Sequence, residues 1–257
     1  MLAQAWHKTL RGALGLYLDF QEFLAPWSCL CCGRERDSAD DGQSVSDDKL
    51  LCENCIESLN NKNVGFGPVC PFCGNPNGGG PCVTCHPPAH LHLYYWGNYE
   101  NELQECILQF KFHGARELGI RLMEMAHGPM LRRLTRLENQ LIVPVPLHKR
   151  RQRQRQYNQS ELLARRLAEL CGMEFCPNGL KRTRATFQQA RLAEDMRWNN
   201  VRDAFAVPPP LVPGIAGRHI LLVDDIVTTG ATVYEASEAL LSVGAARVEI
   251  FSLAYTL

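Results

Sequence analysis

Apolar side chains recur three or four residues apart along much of the chain, which is the spacing of helices that are buried on one face. This spacing predicts helices over residues Asn101–Phe112, Arg116–Leu134, 160–171 and 232–243. Gly172 and Gly244 follow the last two segments and are typical of helix ends. A further short amphipathic helix is predicted over residues 1–25, ahead of Pro26.

Three short apolar runs have the character of buried strands. They cover residues 141–146, 220–223 and 248–254. A helical pattern separates the second run from the third, and strand–helix–strand order implies parallel strands that are joined by a right-handed crossover. The predicted fold class is therefore α/β with a parallel sheet.

Cysteine is unusually frequent, with twelve residues, eight of which form Cys-x-x-Cys pairs. The pairs are Cys29/Cys32, Cys52/Cys55, Cys70/Cys73 and Cys82/Cys85. Two such pairs supply the four thiolates of a closed structural zinc site, so the eight cysteines predict two zinc ions and no open position for catalysis. The gaps between the pairs favour grouping in sequence order, although an interleaved arrangement stays open. An iron–sulfur cluster and redox-active pairs are the alternatives to zinc.

Glycine and proline mark the end of the cysteine-rich segment. Gly78-Gly79-Gly80-Pro81 and Pro87-Pro88 interrupt regular structure. The predicted domains are an N-terminal helical lead at 1–25, a double zinc ribbon at 26–90 and an α/β domain at 91–257. A ribbon of this size has little core of its own, and metal binding worth about 10–16 kcal/mol in zinc-finger peptides would stabilise it.

The net charge is zero, with 27 basic and 27 acidic side chains, which excludes a strongly cationic coat protein or an acidic disordered tail. Residues 111–202, however, carry 19 basic and 8 acidic groups, an excess of +11. This segment should attract the phosphates of a ligand or of a polynucleotide. We find no apolar run near the roughly 18 residues that span a bilayer, and no secretory signal. We therefore expect a cytoplasmic protein with reduced thiols and no transmembrane segment.

The most informative stretch follows the second predicted strand, where two acidic residues precede a turn rich in hydroxyl groups. Its polar and turn residues are Asp224, Asp225, Thr228, Thr229, Gly230, Ala231 and Thr232. Backbone N–H groups in such a turn converge on an anion, and the following helix adds its positive N-terminal end. The carboxylates suit sugar hydroxyls and a magnesium-bound polyphosphate, so the stretch predicts a ribose phosphate site. The structural alternative is a capped helix after an acidic turn.

This stretch resembles the phosphoribosyl pyrophosphate signature of type I phosphoribosyltransferases. Further motifs, together with the cysteine pairs, resemble those of the ComF family of competence-associated proteins. These motifs are Lys111-Phe112, Val143 to His148, Arg155 to Ser160, Thr186 with Gln189 and Leu192, Arg197 with Asn200 and Val201, and Ala204-Phe205. One departure is visible, because the family usually has Gly-Phe where this chain has Gln156-Tyr157. The resemblance implies a type I phosphoribosyltransferase-like sheet with an N-terminal cysteine-rich double zinc ribbon.

The resemblance also implies roles for individual residues. Asp224 and Asp225 would hold the ribose hydroxyls and act in catalysis, and Thr228 to Thr232 would hold the 5-phosphate of magnesium-bound phosphoribosyl pyrophosphate. The pyrophosphate would contact the loop after the first core strand, at Val145, Pro146, Leu147, His148 and Lys149. The polar residues between 182 and 202 suggest a hood over the ligand, with contacts from Gln189, Arg197 and Asn200; the alternative is a polar connector.

Two functions are consistent with the sequence. One is a phosphoribosyltransferase whose acceptor no motif identifies, and for which the family resemblance implies a part in DNA uptake or in the use of extracellular DNA. The other is a non-catalytic module that binds single-stranded DNA along the cationic segment, with the phosphoribosyl site as a sensor. Proteins of the DNA-uptake machinery would then be partners. A purely structural zinc scaffold leaves the Asp224–Asp225 stretch without a purpose.

Overall fold

The structure, a computed structural model, describes residues 27–35, 48–78, 82–85, 91–134, 140–147, 157–184 and 201–256. The predicted helix at 1–25 lies outside these residues. None of the helices within them is both long enough and apolar enough to cross a membrane. The chain divides into two compact units, Met1–Glu57 and Ser58–Leu257. The second unit contains the sheet and the last two cysteine pairs, while the predicted boundary near residue 90 stays a prediction.

The described residues contain eight strands and six α-helices. The strands are β1 Phe66–Val69, β2 His92–Asn98, β3 Gln140–Pro144, β4 Glu174–Phe175, β5 Lys181–Arg182, β6 Phe205–Ala206, β7 His219–Val227 and β8 Arg247–Tyr255. The helices are α1 Glu53–Lys62, α2 Asn101–Phe112, α3 Arg116–Leu134, α4 Gln159–Cys171, α5 Val212–Ile215 and α6 Ala231–Leu241, with a 3-10 turn at Pro209–Leu211.

Six strands form the main sheet in the order β1-β2-β8-β7-β3-β4. All neighbours in it run parallel except β1, which pairs antiparallel with β2 at one edge. The α/β prediction is therefore confirmed, with a mixed sheet in place of a purely parallel one. Strands β5 and β6 form a separate antiparallel pair.

Helical periodicity predicted α2 and α3 with their observed bounds, because each buries one face. In α2 the apolar positions Leu103, Ile107 and Phe110 are all buried. Close packing at Phe110 depends on Gly119 in α3, since a Cβ at position 119 would lie 2.3 Å from the Phe110 ring. This contact fixes the last turn of α2, which carries Lys111.

Strand β2 was not predicted from the sequence. Its residues from His92 to Gly97 are all buried, so it shows no alternation of apolar and polar positions. The central strands β7 and β8 are also buried along most of their length, as expected for parallel strands that are covered on both faces. The core therefore lies on both faces of the sheet.

Candidate functional site

The acidic pair lies on β7, beyond the point where its neighbour β3 leaves the sheet. Pairing between β3 and β7 ends with Pro144 opposite Val223, and the Val145 N–H still donates to the Val223 carbonyl at 2.9 Å. Strand β8 continues alongside β7 as far as Val227. Asp224 and Asp225 therefore lie at a split between neighbouring strands, which is where open α/β sheets bind ligands.

Each carboxylate of the pair is held by local backbone groups. The Asp225 N–H donates to Asp224 Oδ1 at 2.9 Å, and the Ile226 N–H donates to Asp225 Oδ1 at 2.7 Å. These bonds fix the side chains along the strand. Asp225 is only 8% exposed, so the pair is held in a partly desolvated position before any ligand arrives.

Two further side chains reach the pair from the ends of helices. Lys111 Nζ, in the last turn of α2, lies 2.9 Å from Asp225 Oδ1, and both side chains are largely buried. Ser160, in the first turn of α4, donates its hydroxyl to Asp224 Oδ1 at 2.8 Å. Neither residue is predicted from the sequence to belong to the site. The pairings join positions 114 and 64 residues apart in the sequence, so no local pattern contains them.

A network around Tyr157 fixes these helix ends. The Tyr157 hydroxyl donates to the Phe110 carbonyl, and its ring packs against the Phe110 ring with centroids 5.8 Å apart. The Arg116 guanidinium lies 4.7 Å from the centre of the Tyr157 ring, a cation–π arrangement. The next residue, Asn158, donates from Nδ2 to the Val145 carbonyl at 3.1 Å. Tyr157 and Asn158 thus connect α2, α4 and the β3 loop around the acidic pair.

Burial raises the pKa of Asp224 to about 7, and the neighbouring Asp225 carboxylate adds to this effect. The hydrogen bond from Ser160 and the charge of Lys111 act in the opposite direction. A cation or hydroxyl donor that entered beside Asp224 would favour its ionised form. The pair is therefore suited to bind a ligand that brings hydroxyl groups and positive charge.

The turn after β7 has the geometry of an anion site. Gly230 precedes α6 with a φ of 75°, a left-handed conformation that favours glycine. Thr229 Oγ1 is buried without a hydrogen-bond partner among the described residues, and so is Oδ1 of Asn158, which precedes α4. Buried polar atoms are normally paired, so an unpaired hydroxyl in this turn points to a ligand.

The other predicted contacts divide into two groups. Val145 is buried beside β7, and Pro146 and Leu147 are half-buried on the loop that follows it. His148 and Lys149, and the predicted hood residues Gln189, Arg197 and Asn200, lie outside the described residues. The structure thus brings the first part of the predicted pyrophosphate loop next to the acidic pair.

The eight paired cysteines form two groups in sequence order. One group is Cys29, Cys32, Cys52 and Cys55, and the other is Cys70, Cys73, Cys82 and Cys85. Within each group the sulfur atoms all lie within 4.8 Å of one another. Tetrahedral zinc with bonds of about 2.3 Å requires sulfurs about 3.8 Å apart, so both groups fit zinc. The grouping that the sequence favoured is the one observed.

Hydrogen bonds from backbone groups lower the pKa of some of these thiols, which favours metal binding. Hydrogen bonds from the backbone at Cys85 and Thr84 lower the pKa of Cys82 to about 6. Burial acts to raise the pKa of Cys29, but backbone hydrogen bonds outweigh it and lower the value to about 7. Metals bind the thiolate form, and hydrogen bonds to sulfur stabilise that form. Both tetrads therefore contain a cysteine that readily ionises.

Comparison with known proteins gives the family of the chain. A family model for the phosphoribosyl transferase domain matches residues 160–256. DNA utilization protein YhgH of Escherichia coli is 37% identical over 217 residues, which cover 80% of this chain and 91% of that protein. Competence protein F of Haemophilus influenzae is 31% identical over 215 residues, covering 79% and 90%. Competence protein ComFC of Bacillus subtilis is 27% identical over 223 residues, covering 80% and 84%.

These relatives match over 84–91% of their own length and over about four fifths of this chain. The fold contains the α/β sheet that the motifs predicted, with one antiparallel strand, β1, at its edge. The chain therefore belongs to the ComF family of competence and DNA utilization proteins and contains a type I phosphoribosyltransferase domain.

Proposed function

We propose that the chain binds phosphoribosyl pyrophosphate together with Mg²⁺ at the edge formed by β7, the β3 loop and the start of α6. The observation that carries this proposal is the convergence of the Asp224–Asp225 pair with a turn that holds a buried, unpaired threonine hydroxyl. Two carboxylates and an anion-binding turn, a few residues apart, match the two ends of a ribose phosphate.

Each part of the ligand has a counterpart in the site. The 5-phosphate would accept hydrogen bonds from the backbone and hydroxyls of Thr228 to Thr232 at the start of α6. Asp224 and Asp225 would accept hydrogen bonds from the ribose hydroxyls. The pyrophosphate would lie along Val145 to Lys149, where Mg²⁺, when bound, offsets its negative charge.

This arrangement also suits transfer chemistry. When the bond between C1 and pyrophosphate breaks, the electron pair leaves with pyrophosphate and the sugar gains oxocarbenium character. The acidic pair would stabilise that positive charge, while Lys111 holds Asp225 in place. The acceptor then forms the new bond at C1. Turnover is measured separately from binding, by exchange of labelled pyrophosphate into the activated sugar.

Calorimetry with phosphoribosyl pyrophosphate, with and without Mg²⁺, tests the binding proposal. We expect saturable binding that strengthens with Mg²⁺ and is lost in the double variant Asp224→Asn with Asp225→Asn. The matched control is Glu117→Gln with Glu169→Gln, which removes two exposed carboxylates from α3 and α4 and should leave binding unchanged. Normal binding by the Asp224/Asp225 variant would overturn the assignment of the site.

A second function is favoured by the relatives, which are named for competence and DNA utilization, and by the +11 excess over residues 111–202. We propose that this segment binds single-stranded DNA in the cytoplasm, alongside proteins of the uptake machinery. Fluorescence anisotropy with a labelled oligonucleotide should give an affinity that falls linearly with the logarithm of salt concentration. An affinity that does not change with salt would contradict a phosphate-binding track.

A further inference from the structure

The second cysteine tetrad lies directly against the turn that precedes α6. Its first knuckle, Cys70 to Cys73, follows β1, and its two middle residues face Gly230. A Cβ built on Gly230 would lie 2.6 Å from the Pro71 carbonyl oxygen and 2.8 Å from Cδ1 of the Phe72 ring. Gly230 therefore serves two purposes, because it adopts the left-handed backbone and leaves room for the knuckle.

The knuckle also contacts the first turn of α6. The Phe72 ring meets the Tyr234 ring edge to face, with centroids 6.0 Å apart. The Tyr234 N–H in turn donates to the Gly230 carbonyl at 2.9 Å. Phe72 thus contacts both Gly230, which precedes the helix, and Tyr234, whose N–H closes the first turn. Gly230 belongs to the turn, Thr228 to Thr232, that forms the proposed phosphate site.

The position of the knuckle depends on two anchors. On one side Val69, at the end of β1, pairs with Leu93 in the main sheet. On the other side the sulfurs of Cys70 and Cys73 approach those of the second pair, Cys85 at 3.4 Å and Cys82 at 3.5 Å. Without a metal, only weak S–H···S contacts join these sulfurs. The second anchor therefore depends on the bound ion.

We propose that the Cys70–Cys73 knuckle is a positioning element of the phosphoribosyl site, so that the ion in the second tetrad and the sugar phosphate stabilise each other's binding. The inference rests on the proposed function and assigns that site a metal-dependent support. Loading the tetrad holds Pro71 and Phe72 against Gly230, which keeps the turn in its binding conformation. By linkage, the ligand must raise the affinity for the ion by the same factor.

The contact is tested in the full chain with one variant in each knuckle of the second tetrad. Phe72→Leu keeps the four sulfurs and removes the ring that touches α6. Val83→Ala changes the corresponding pair, Cys82/Cys85, at a side chain that is 85% exposed. With two zinc ions retained in each, we expect Phe72→Leu to weaken phosphoribosyl pyrophosphate binding by about 5- to 150-fold, the usual range of allosteric coupling, and Val83→Ala to leave it unchanged.

Zinc retention gives the reciprocal measurement. In a chelator competition followed by a colorimetric zinc indicator, phosphoribosyl pyrophosphate should slow release of one of the two ions in the wild-type chain. The protected ion should be the one that the variant Cys73→Ser with Cys85→Ser lacks. In Phe72→Leu this protection should shrink. Equal protection of both ions, or none, would overturn the coupling.

Hydrogen exchange separates failure of the coupling from failure of the proposed function. Loss of the second ion should speed amide exchange over residues 228–234, in the absence of any ligand, more than loss of the first ion does. If the loaded wild-type chain does not bind phosphoribosyl pyrophosphate, the proposed function is wrong. If exchange over residues 228–234 stays the same after the second ion is removed, the knuckle does not position the turn and the inference is wrong.

Discussion

The two cysteine tetrads begin with nearly the same local structure. In the first, the Cys29 N–H donates to the Arg34 carbonyl at 2.9 Å, and the Gly33 N–H donates to the Cys29 carbonyl at 2.8 Å. In the second, Cys70 and Gly74 make the same two bonds, at 2.9 Å each, with Asn75 as the acceptor residue for the Cys70 N–H. Gly33 and Gly74 even share a φ of 71°.

The tetrads differ in what surrounds them. The first belongs to the unit Met1–Glu57, and its contacts there are with its own short turns, such as the bond from the Leu30 N–H to the Leu50 carbonyl. The second belongs to the unit of the sheet and lies against Gly230. The same ligand set can therefore hold together a small unit in one case and support a binding turn in the other. The surroundings, and not the ligands, distinguish the two.

Cysteine substitution tests this contrast with the largest effect. Cys70→Ser with Cys73→Ser should destabilise the sheet-containing unit by several kcal/mol, on the order of what a structural metal contributes. Cys29→Ser with Cys32→Ser should unfold the first unit and leave the main transition near its wild-type midpoint. Thermal unfolding followed by circular dichroism, with zinc content measured on the same samples, checks both. If the main transition is lost equally in the two variants, the two tetrads do not stabilise separate units.

Glycine substitution gives the next largest effect. Gly230→Ala combines a left-handed φ with a Cβ that would meet the Pro71 carbonyl, so we expect a loss of about 3–4 kcal/mol. Gly33→Ala has a similar φ, but its Cβ would have nothing within 4 Å in the described part of the chain. Its cost should be about 1 kcal/mol. Urea denaturation measures the loss of stability in both variants. Similar losses would show that the knuckle moves aside to make room for a Cβ at position 230.

The second tetrad would stabilise its unit through a metal, whereas the contribution of the acidic pair to stability depends on pH. Because the pKa of Asp224 is raised in the folded chain from 3.8 to about 7, the folded state holds this proton more tightly than the unfolded state. Its contribution to stability is complete below pH 3.8 and is lost as the pH rises through 7. Asp224→Asn should remove about 2–3 kcal/mol of pH dependence between pH 5 and pH 8.

Denaturant titrations of wild type and Asp224→Asn over this range make the measurement. The two proteins should differ most at pH 8, where the wild type is the less stable of the pair. If the free energy of unfolding falls with pH as steeply in the variant as in the wild type, a group other than Asp224 causes the pH dependence. Both proteins should contain the same amount of zinc, because Asp224 is not a ligand in either cysteine tetrad.

The sequence predicted the parts of this molecule whose signals are local. The turn from Asp224 to Thr232 combines acids, hydroxyls and glycine within nine positions, and α2 and α3 show regular amphipathic spacing. The grouping of the cysteines in order also follows from their spacing. Strand β2 was missed because it is buried on both faces, which removes the alternation that marks a strand.

The contacts that assemble the site could not be predicted, because each joins distant segments. Phe72 and Gly230 are far apart in the sequence, and neither residue type indicates the other. Ser160 is a plausible helix cap by its position, yet its hydroxyl donates to Asp224. Lys111 ends an amphipathic helix, where a basic residue is common without any role in a site. Only the packing of the sheet and helices shows that Ser160 and Lys111 belong to the site and are not merely helix-end residues.

The smallest effect is expected at Lys111, the counter-ion of the acidic pair. Lys111→Met keeps most of the aliphatic side chain and removes the charge 2.9 Å from Asp225. Because Lys111 lowers the pKa of Asp224, its removal should raise that pKa further and steepen the loss of stability as the pH rises. We expect a loss of about 1–2 kcal/mol at pH 8 and less at pH 5. Lys111→Arg, which keeps the charge, is the control for denaturant titrations, and an equal loss at both pH values would show that Lys111 acts by packing alone.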